Sequence, residues 1–548
     1  MGMALVLLQS QNGPVFDLLQ ALWARIAYAI HWPLNYFNHW AWDNTAYYLI
    51  FPEIFLILGL VAIVIIDLMF GEKYYNLYIW LGIIATFLNF LMTIHMMYNT
   101  SRYYTYGLGL WWGGLETIDP FALFFKQLLD WGDIPLLLVM FGYGRRNENR
   151  TEFVILFLTA TVAFDLMVGS SDLLAIYVMT EFGSLMLYLM TCSYQKTLRT
   201  LEAGLKYFFI GALSSASMLF GISMVYGWAG TTNLYGIKDA LRTANVFHPI
   251  IVLSIIFIIV GIGYKVGVAP FHMWVPDTYQ GAPIVVAAFL SIFPKIAGFA
   301  VIIRMFIIGF YYGKDVWVPI FIVMAILTMF VGNIMALTQR SFKRLMGYSG
   351  VAQMGYVMMG VVMAVQVPTN LEVESAGVRA ALYYMLIYLF MNLVTFMVGM
   401  FNEISGGDDR LETFNGFIKR SPSLAVFLTI SLLALTGIPP TAGFVAKFIV
   451  FRSVIPIAPF QPLVMAMLIA AAINAVIAVF YYVGIIKRVF FYEPLDAEMA
   501  KPYVPVLFQR FAILLPVMFI FLMGFLMVGV PYDYVTGAWL LPYSVPVA

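Results

Sequence analysis

Long apolar runs separated by short polar stretches recur along almost the whole chain. About 20 apolar residues in a helix cross a hydrocarbon core of about 30 Å. Runs of that kind lie near residues 46–70, 75–98, 118–143, 151–170, 172–194, 202–228, 249–273, 284–312, 316–338, 342–365, 376–404, 422–455, 461–492 and 508–530. They predict an all-α polytopic membrane protein with about 14 transmembrane helices. The stretch Val15–Ile30, between Pro14 and Pro33, is shorter and weaker. It reads as an interfacial part of an N-terminal extension over residues 1–45, with a cleaved signal or a further span as alternatives.

Two of the runs carry helix breakers. The run 422–455 exceeds 30 residues, roughly 45–50 Å at about 1.5 Å per residue, and holds Gly437-Ile438-Pro439-Pro440-Thr441-Ala442-Gly443 in its middle. The run from Pro249 ends in Pro270-Phe271-His272-Met273-Trp274-Val275-Pro276-Asp277, with Gly281-Ala282-Pro283 following. Proline lacks the backbone donor and clashes with the preceding turn, so runs 7 and 12 should be broken helices. Broken helix at membrane depth is tolerated where its freed backbone is buried in protein or lines a water-filled cavity. Breaks at corresponding places in two halves point to an ion site. Their spacing of five runs predicts two inverted five-helix repeats, runs 4–8 over residues 151–315 and runs 9–13 over residues 316–492. Residues 46–150 would then hold the first three spans, and residues 493–548 the last span and a tail.

Composition sharpens this picture. Of the 548 residues, 63% are hydrophobic and 10% charged, with a mean hydropathy of +0.91. Soluble domains carry about a quarter charged residues, so the solvent here is lipid. The 29 Lys and Arg are spread unevenly: 15 fall in loops after odd-numbered runs, against 5 on the other side. Basic loops stay cytoplasmic, so both termini are expected on the non-cytoplasmic side. Balance against 28 Asp and Glu removes any basic nucleic-acid footprint. A single cysteine, Cys192, excludes a disulfide framework, a Cys-ligated zinc site and an iron–sulfur cluster. The five histidines are scattered, and neither a Walker loop nor a dinucleotide fingerprint stands out. No cofactor is expected in this chain.

Few charges remain inside the runs. Glu181 lies nine residues into run 5, roughly 13 Å deep. Lys206 follows in run 6, Lys265 precedes the first break, Lys295 sits in the middle of run 8, and Lys447 comes four residues after the second break. An intramembrane ionisable group is a functional hypothesis by default. Lysine loses its proton readily on desolvation and regains it beside a carboxylate, so such a set suits proton transfer. The plainer readings are specific. Glu202 and Lys206 stand four apart, which allows an intrahelical ion pair. Lys265, near a broken end, could extend its head group to water. His272 could join the relay or serve only as a packed, hydrogen-bonded side chain. Asp67, Asp165, Asp172, Arg304 and Lys487 lie near run ends and read mostly as interfacial, while Glu53 and Lys126 are ambiguous.

The string Tyr264–Asp277, continued by Tyr279-Gln280-Gly281-Ala282-Pro283 and Ser291–Phe299, resembles the antiporter-like proton-pumping subunits of respiratory complex I (NADH:quinone oxidoreductase, NDH-1). Phe51–Phe55, Lys343–Gly350 and Gly437–Phe444 fit the same pattern, and Glu202–Tyr207 with Thr231–Leu234 favours the subunit N branch. The resemblance implies a proton-translocating subunit with Glu181, Lys206, Lys265, Lys295 and Lys447 at the relay positions: Glu181 is expected to modulate Lys206, protons to enter and rest at Lys265 and Lys295, and Lys447 to pass them out. It implies NADH, FMN, iron–sulfur clusters and quinone in partner subunits only. It also implies other NDH-1 membrane subunits as partners, sister antiporter-like ones among them, and a bacterial plasma membrane, with thylakoid or organelle membranes as alternatives. Gln353 departs from the pattern, because many members carry His there; a hydrogen bond rather than a charge is expected from it. The extension over residues 1–45 departs too. A Mrp-type cation/proton antiporter or a membrane-bound hydrogenase subunit is the alternative reading.

Overall fold

The computed structural model describes residues 50–105, 114–143, 150–193, 198–366, 371–495 and 501–525. The N-terminal extension and most of the C-terminal tail lie outside the described residues. Within them the chain is helical: α1 (Phe51–Phe70), α2 (Tyr75–Thr105), α3 (Pro120–Tyr143), α4 (Arg150–Gly169), α5 (Leu173–Ser193) and α6 (Leu198–Ala229) come first. The short α7 (Leu234–Thr243) precedes α8 (Pro249–Val266), α9 (Trp274–Gly281) and α10 (Ile284–Arg304). Then follow α11 (Lys314–Leu337), α12 (Phe342–Met363), α13 (Leu371–Ile404), α14 (Phe417–Arg420), α15 (Pro422–Thr436), α16 (Ala442–Val454), α17 (Pro462–Phe491) and α18 (Leu507–Phe525).

Eleven helices among the described residues are long and apolar enough to cross a membrane. The other three runs also form helix but stand apart: α3 carries Lys126, Asp130 and Asp133, α12 carries Lys343, Arg344 and Gln353, and the twelfth run is divided into α15 and α16.

Among the described residues, two helices are enclosed along their apolar centres, within Ile284–Gly309 around α10 and within Ala376–Ile404 of α13. A helix that is apolar on every side has no solvent-facing stripe and belongs in the interior of a bundle. α10 packs against α3, α4, α8 and α13, while α13 also meets α12, α15, α16 and α18. Outer helices such as α1, α6 and α17 instead expose Leu58, Leu213 and Phe480. Without a hydrophobic force between helices in lipid, close contact must come from shape and small residues. α11 and α12 meet in this way: a Cβ added at Gly332 would lie 2.5 Å from the Ala352 backbone nitrogen.

Both expected breaks are present. α8 stops at Gly267, whose φ of +70° is left-handed, and a turn of seven residues leads to α9. α15 stops at Gly437, φ +85°, and α16 begins at Ala442. Only glycine adopts that conformation without a Cβ penalty. Groups freed at the first break find partners: the Trp274 indole N–H donates to the Tyr264 carbonyl (2.9 Å), and the Ala269 N–H donates to Thr328 Oγ1 (3.0 Å). Each break thus leaves a helix end inside the bundle, where a charged side chain can meet backbone dipoles rather than lipid.

Candidate functional site

The first break fixes Lys265. Its Nζ lies 2.9 Å from Glu181 Oε1 on α5 and donates to Ser184 Oγ at 2.7 Å. Ser215 of α6 donates to the same glutamate oxygen. Three helices therefore converge on one ion pair, with Lys265 buried and the Glu181 side chain 24% exposed. Charge-assisted bonds of this kind are stronger than neutral ones, so this pair sets where α5, α6 and α8 meet.

Lys295 is fully enclosed at the centre, on α10. Among the described residues it has no carboxylate at ion-pair distance; its hydrogen bond goes to the Tyr388 hydroxyl of α13 at 3.3 Å, which donates on to the Ser291 carbonyl at 2.9 Å. The rings of Tyr279 and Tyr388 lie 5.9 and 5.8 Å from the ammonium. Room for the head group comes from Gly350 on α12, where an added Cβ would stand 2.5 Å from Nζ. Val266, next to Lys265, seats against Gly298, one turn beyond Lys295, so the two lysines occupy neighbouring levels of the packed α8–α10 pair.

Lys447 belongs to the second break. Its Nζ donates to the carbonyls of Leu435 (3.0 Å) and Thr436 (2.8 Å), the last residues of α15, and stands 5.0 Å from the Tyr356 ring. Carbonyls at a helix C-terminus lack helical partners and carry partial negative charge, so they suit a cation. Gln353 shares this corner. Its amide donates to the Leu435 carbonyl (3.1 Å) and the Tyr482 hydroxyl (3.2 Å), while its oxygen accepts from Tyr384. Tyr482 also bonds Ser349, beside Gly350. Ser349, Tyr482 and Gln353 thus form a hydrogen-bonded set that shares the Leu435 carbonyl with Lys447 and starts next to Gly350, against which the Lys295 head group lies. Gln353 supplies hydrogen bonds there.

Lys206 is elsewhere. Its side chain is 47% exposed and pairs with Glu202 at 2.8 Å and Asp277 at 3.3 Å. The intrahelical pair allowed by the four-residue spacing is therefore made, and Glu181 pairs with Lys265 instead of Lys206. Arg344 meets the other oxygen of Asp277 at 2.6 Å, which ties α6, α9 and α12 together. His272 lies in the first break, its ring 6.4 Å from that of Tyr348. Among the described residues no hydrogen bond joins it to Glu181 or to the four lysines.

A second buried polar group went unread in the sequence. Asp165 and Arg304, expected at the interface, are inside. Arg304 makes a two-pronged bond to Asp119, 2.8 Å on each arm, and donates to Thr117. Lys126 on α3 meets Glu53 of α1 at 2.5 Å and Glu116 at 3.7 Å. Deeper, the Asn89 amide of α2 donates to both oxygens of Asp130 (2.8 and 3.0 Å) and to Asp165 Oδ2 (2.9 Å). The signal was at α3: Asp119, immediately before it, and Lys126, Asp130 and Asp133 within it are spaced by seven, four and three, a single helical face.

Comparison with known proteins places this arrangement in a family. The model described as "NADH:quinone oxidoreductase/Mrp antiporter, TM" matches residues 170–482, which include both breaks and Glu181, Lys206, Lys265, Lys295 and Lys447. NADH-quinone oxidoreductase subunit N of Rhodospirillum rubrum is 38% identical over 390 residues, 70% of this chain and 77% of that one. NAD(P)H-quinone oxidoreductase subunit 2 of a Nostoc species is 33% identical over 460 residues, 83% of this chain and 84% of that one. A chain of respiratory complex I from Thermus thermophilus, solved with bound aureothin, superimposes with a TM-score of 0.69 at 25% identity, covering 87% of this chain and 97% of that one. The chain belongs to the subunit N family of NADH:quinone oxidoreductases, the antiporter-like membrane subunits of complex I.

Proposed function

We propose that this chain, a proton-translocating membrane subunit of an NADH:quinone oxidoreductase complex, carries protons along Lys265, Lys295 and Lys447. In this reading Glu181 holds Lys265 in its charged form while the pair is closed. Opening the pair lets Lys265 release its proton toward Lys295. Tyr388, Ser349, Tyr482 and Gln353 lead on to Lys447, where the proton leaves. Lys206 acts at the surface of α6 with Glu202 and Asp277, and His272 serves the first break. The observation that carries the reading is Lys295: an ammonium enclosed at the centre with a tyrosine and no acid costs several kcal/mol to hold charged. A purely structural role would not call for it.

Subunits of this family carry no redox cofactor, so electron transfer from NADH through FMN and iron–sulfur clusters to quinone belongs to partner subunits. All fourteen runs cross the membrane in this reading, with both termini non-cytoplasmic. Runs 4–8 and 9–13 form inverted repeats, with Lys265 and Lys447 at equivalent breaks. Support comes from the left-handed glycines that end α8 and α15. The membrane is the bacterial plasma membrane, and the partners are the neighbouring antiporter-like and other membrane subunits. A Mrp-type antiporter remains the second reading, because the matching family model covers those proteins as well. Flavin and iron–sulfur subunits co-purifying with the chain favour the first reading; their absence favours the second. The relay is tested by Glu181→Ala and Lys265→Ala in the assembled complex, with pumping measured in vesicles. Loss or sharp reduction is expected, and normal pumping overturns the relay.

A further inference from the structure

The charge count of the buried group on α3 does not close. Glu53, Glu116, Asp119, Asp130, Asp133 and Asp165 are buried together with two cations, Lys126 and Arg304. Arg304 is matched by Asp119, and Lys126 by Glu53 with Glu116 beside it. Asp130, Asp133 and Asp165, each fully enclosed, have no cation at ion-pair distance among the described residues. Donors are short as well. The Asn89 amide has two hydrogens and meets three carboxylate oxygens. Asp165 Oδ1 and Asn89 Oδ1, both buried, have no hydrogen-bond partner.

We propose that this group is a proton-binding site separate from the lysine line, in which Asp130 and Asp165 hold a shared proton against the Asn89 amide. A site built of acceptors with too few donors is completed by a proton, which turns one acceptor into a donor. Two ionised carboxylates tied to one amide inside the bundle repel each other, and one shared proton removes that repulsion. The charged groups around the site are Glu53 from α1, Lys126 and Asp133 on α3, and Glu116 in the turn before α3. The face from Asp119 to Asp133 covers about 21 Å of helix at about 1.5 Å per residue. Its inner end packs on the lysine-bearing helix: a Cβ added at Gly132 would stand 2.8 Å from the Phe293 ring, two residues before Lys295. The held proton therefore lies between one end of the bundle and α10. The proposal does not depend on the lysines carrying protons.

Infrared difference spectra of the assembled complex in membranes, recorded in water and in heavy water, test this by the carbonyl stretch of protonated carboxylic acid. The complex should show such a band at neutral pH, shifted by deuterium. The double variant Asp130→Asn/Asp165→Asn should lose it. Asn89→Leu, which keeps both acids and strips their common donor, should move the band to higher wavenumber without abolishing it. A double-variant spectrum identical to the parent overturns the proposal. Should that variant fail to assemble, an unmoved band in Asn89→Leu overturns it by itself.

Discussion

Lys295 separates a functional from a structural role more cleanly than any other side chain in the molecule. Its ammonium is desolvated and, among the described residues, bonded only to Tyr388, so the charged form weakens the bundle. Methionine has similar length and no charge to desolvate. Lys295→Met should leave the thermal stability of the complex unchanged or raised while proton pumping falls severalfold. Thermal unfolding and vesicle pumping on one preparation check both halves. Such lysines were legible in the sequence because charge is rare within apolar runs and each stands out. Pairing was not legible. Counting residues from a run's end gives depth but not azimuth, so Lys206 is as acceptable a neighbour for Glu181 on the sequence as Lys265, the one it faces. Asp165 and Arg304 were misplaced for the same reason: closeness to a helix end says nothing about whether protein or lipid lies beside it.

At the level of helices, the two breaks do the positioning. Gly437 ends α15 in the left-handed region, and a Cβ there would press to 2.9 Å on Lys447 Cδ. Gly437→Ala should cost about 1–2 kcal/mol of stability for the backbone conformation. It should also displace the Lys447 ammonium from the Leu435 and Thr436 carbonyls, so pumping should fall further than stability does. Denaturation and pumping assays on that variant distinguish the two effects. Both breaks could be read from proline and glycine alone, since those residues act through local sterics that need no tertiary knowledge. The face of α3 was equally local in its spacing of seven, four and three, yet its partners Glu53, Asn89 and Asp165 come from three other helices. Their convergence is a property of packing, which no single run records.

For the whole molecule, the uneven spread of Lys and Arg carries the orientation. Phe247, in the turn between α7 and α8, and Asp408, in the loop after α13, are both outside the helices. Phe247→Cys and Asp408→Cys, each made with Cys192→Ala, should react with a membrane-impermeant maleimide from opposite sides, Asp408→Cys from the cytoplasm. Labelling of both from one side would contradict the fourteen-span topology. The family and the membrane class were legible from composition and motif. The enclosure of α10 and α13 was not, because an apolar helix reads alike whether it faces lipid or protein.

The most direct measurement is the proton-to-electron ratio of the assembled complex in sealed vesicles, compared between the parent and the triple variant Lys265→Met/Lys295→Met/Lys447→Met. If the three lysines carry this subunit's protons, the ratio drops while the complex remains assembled. A ratio equal to that of the parent would show that protons do not travel by this line.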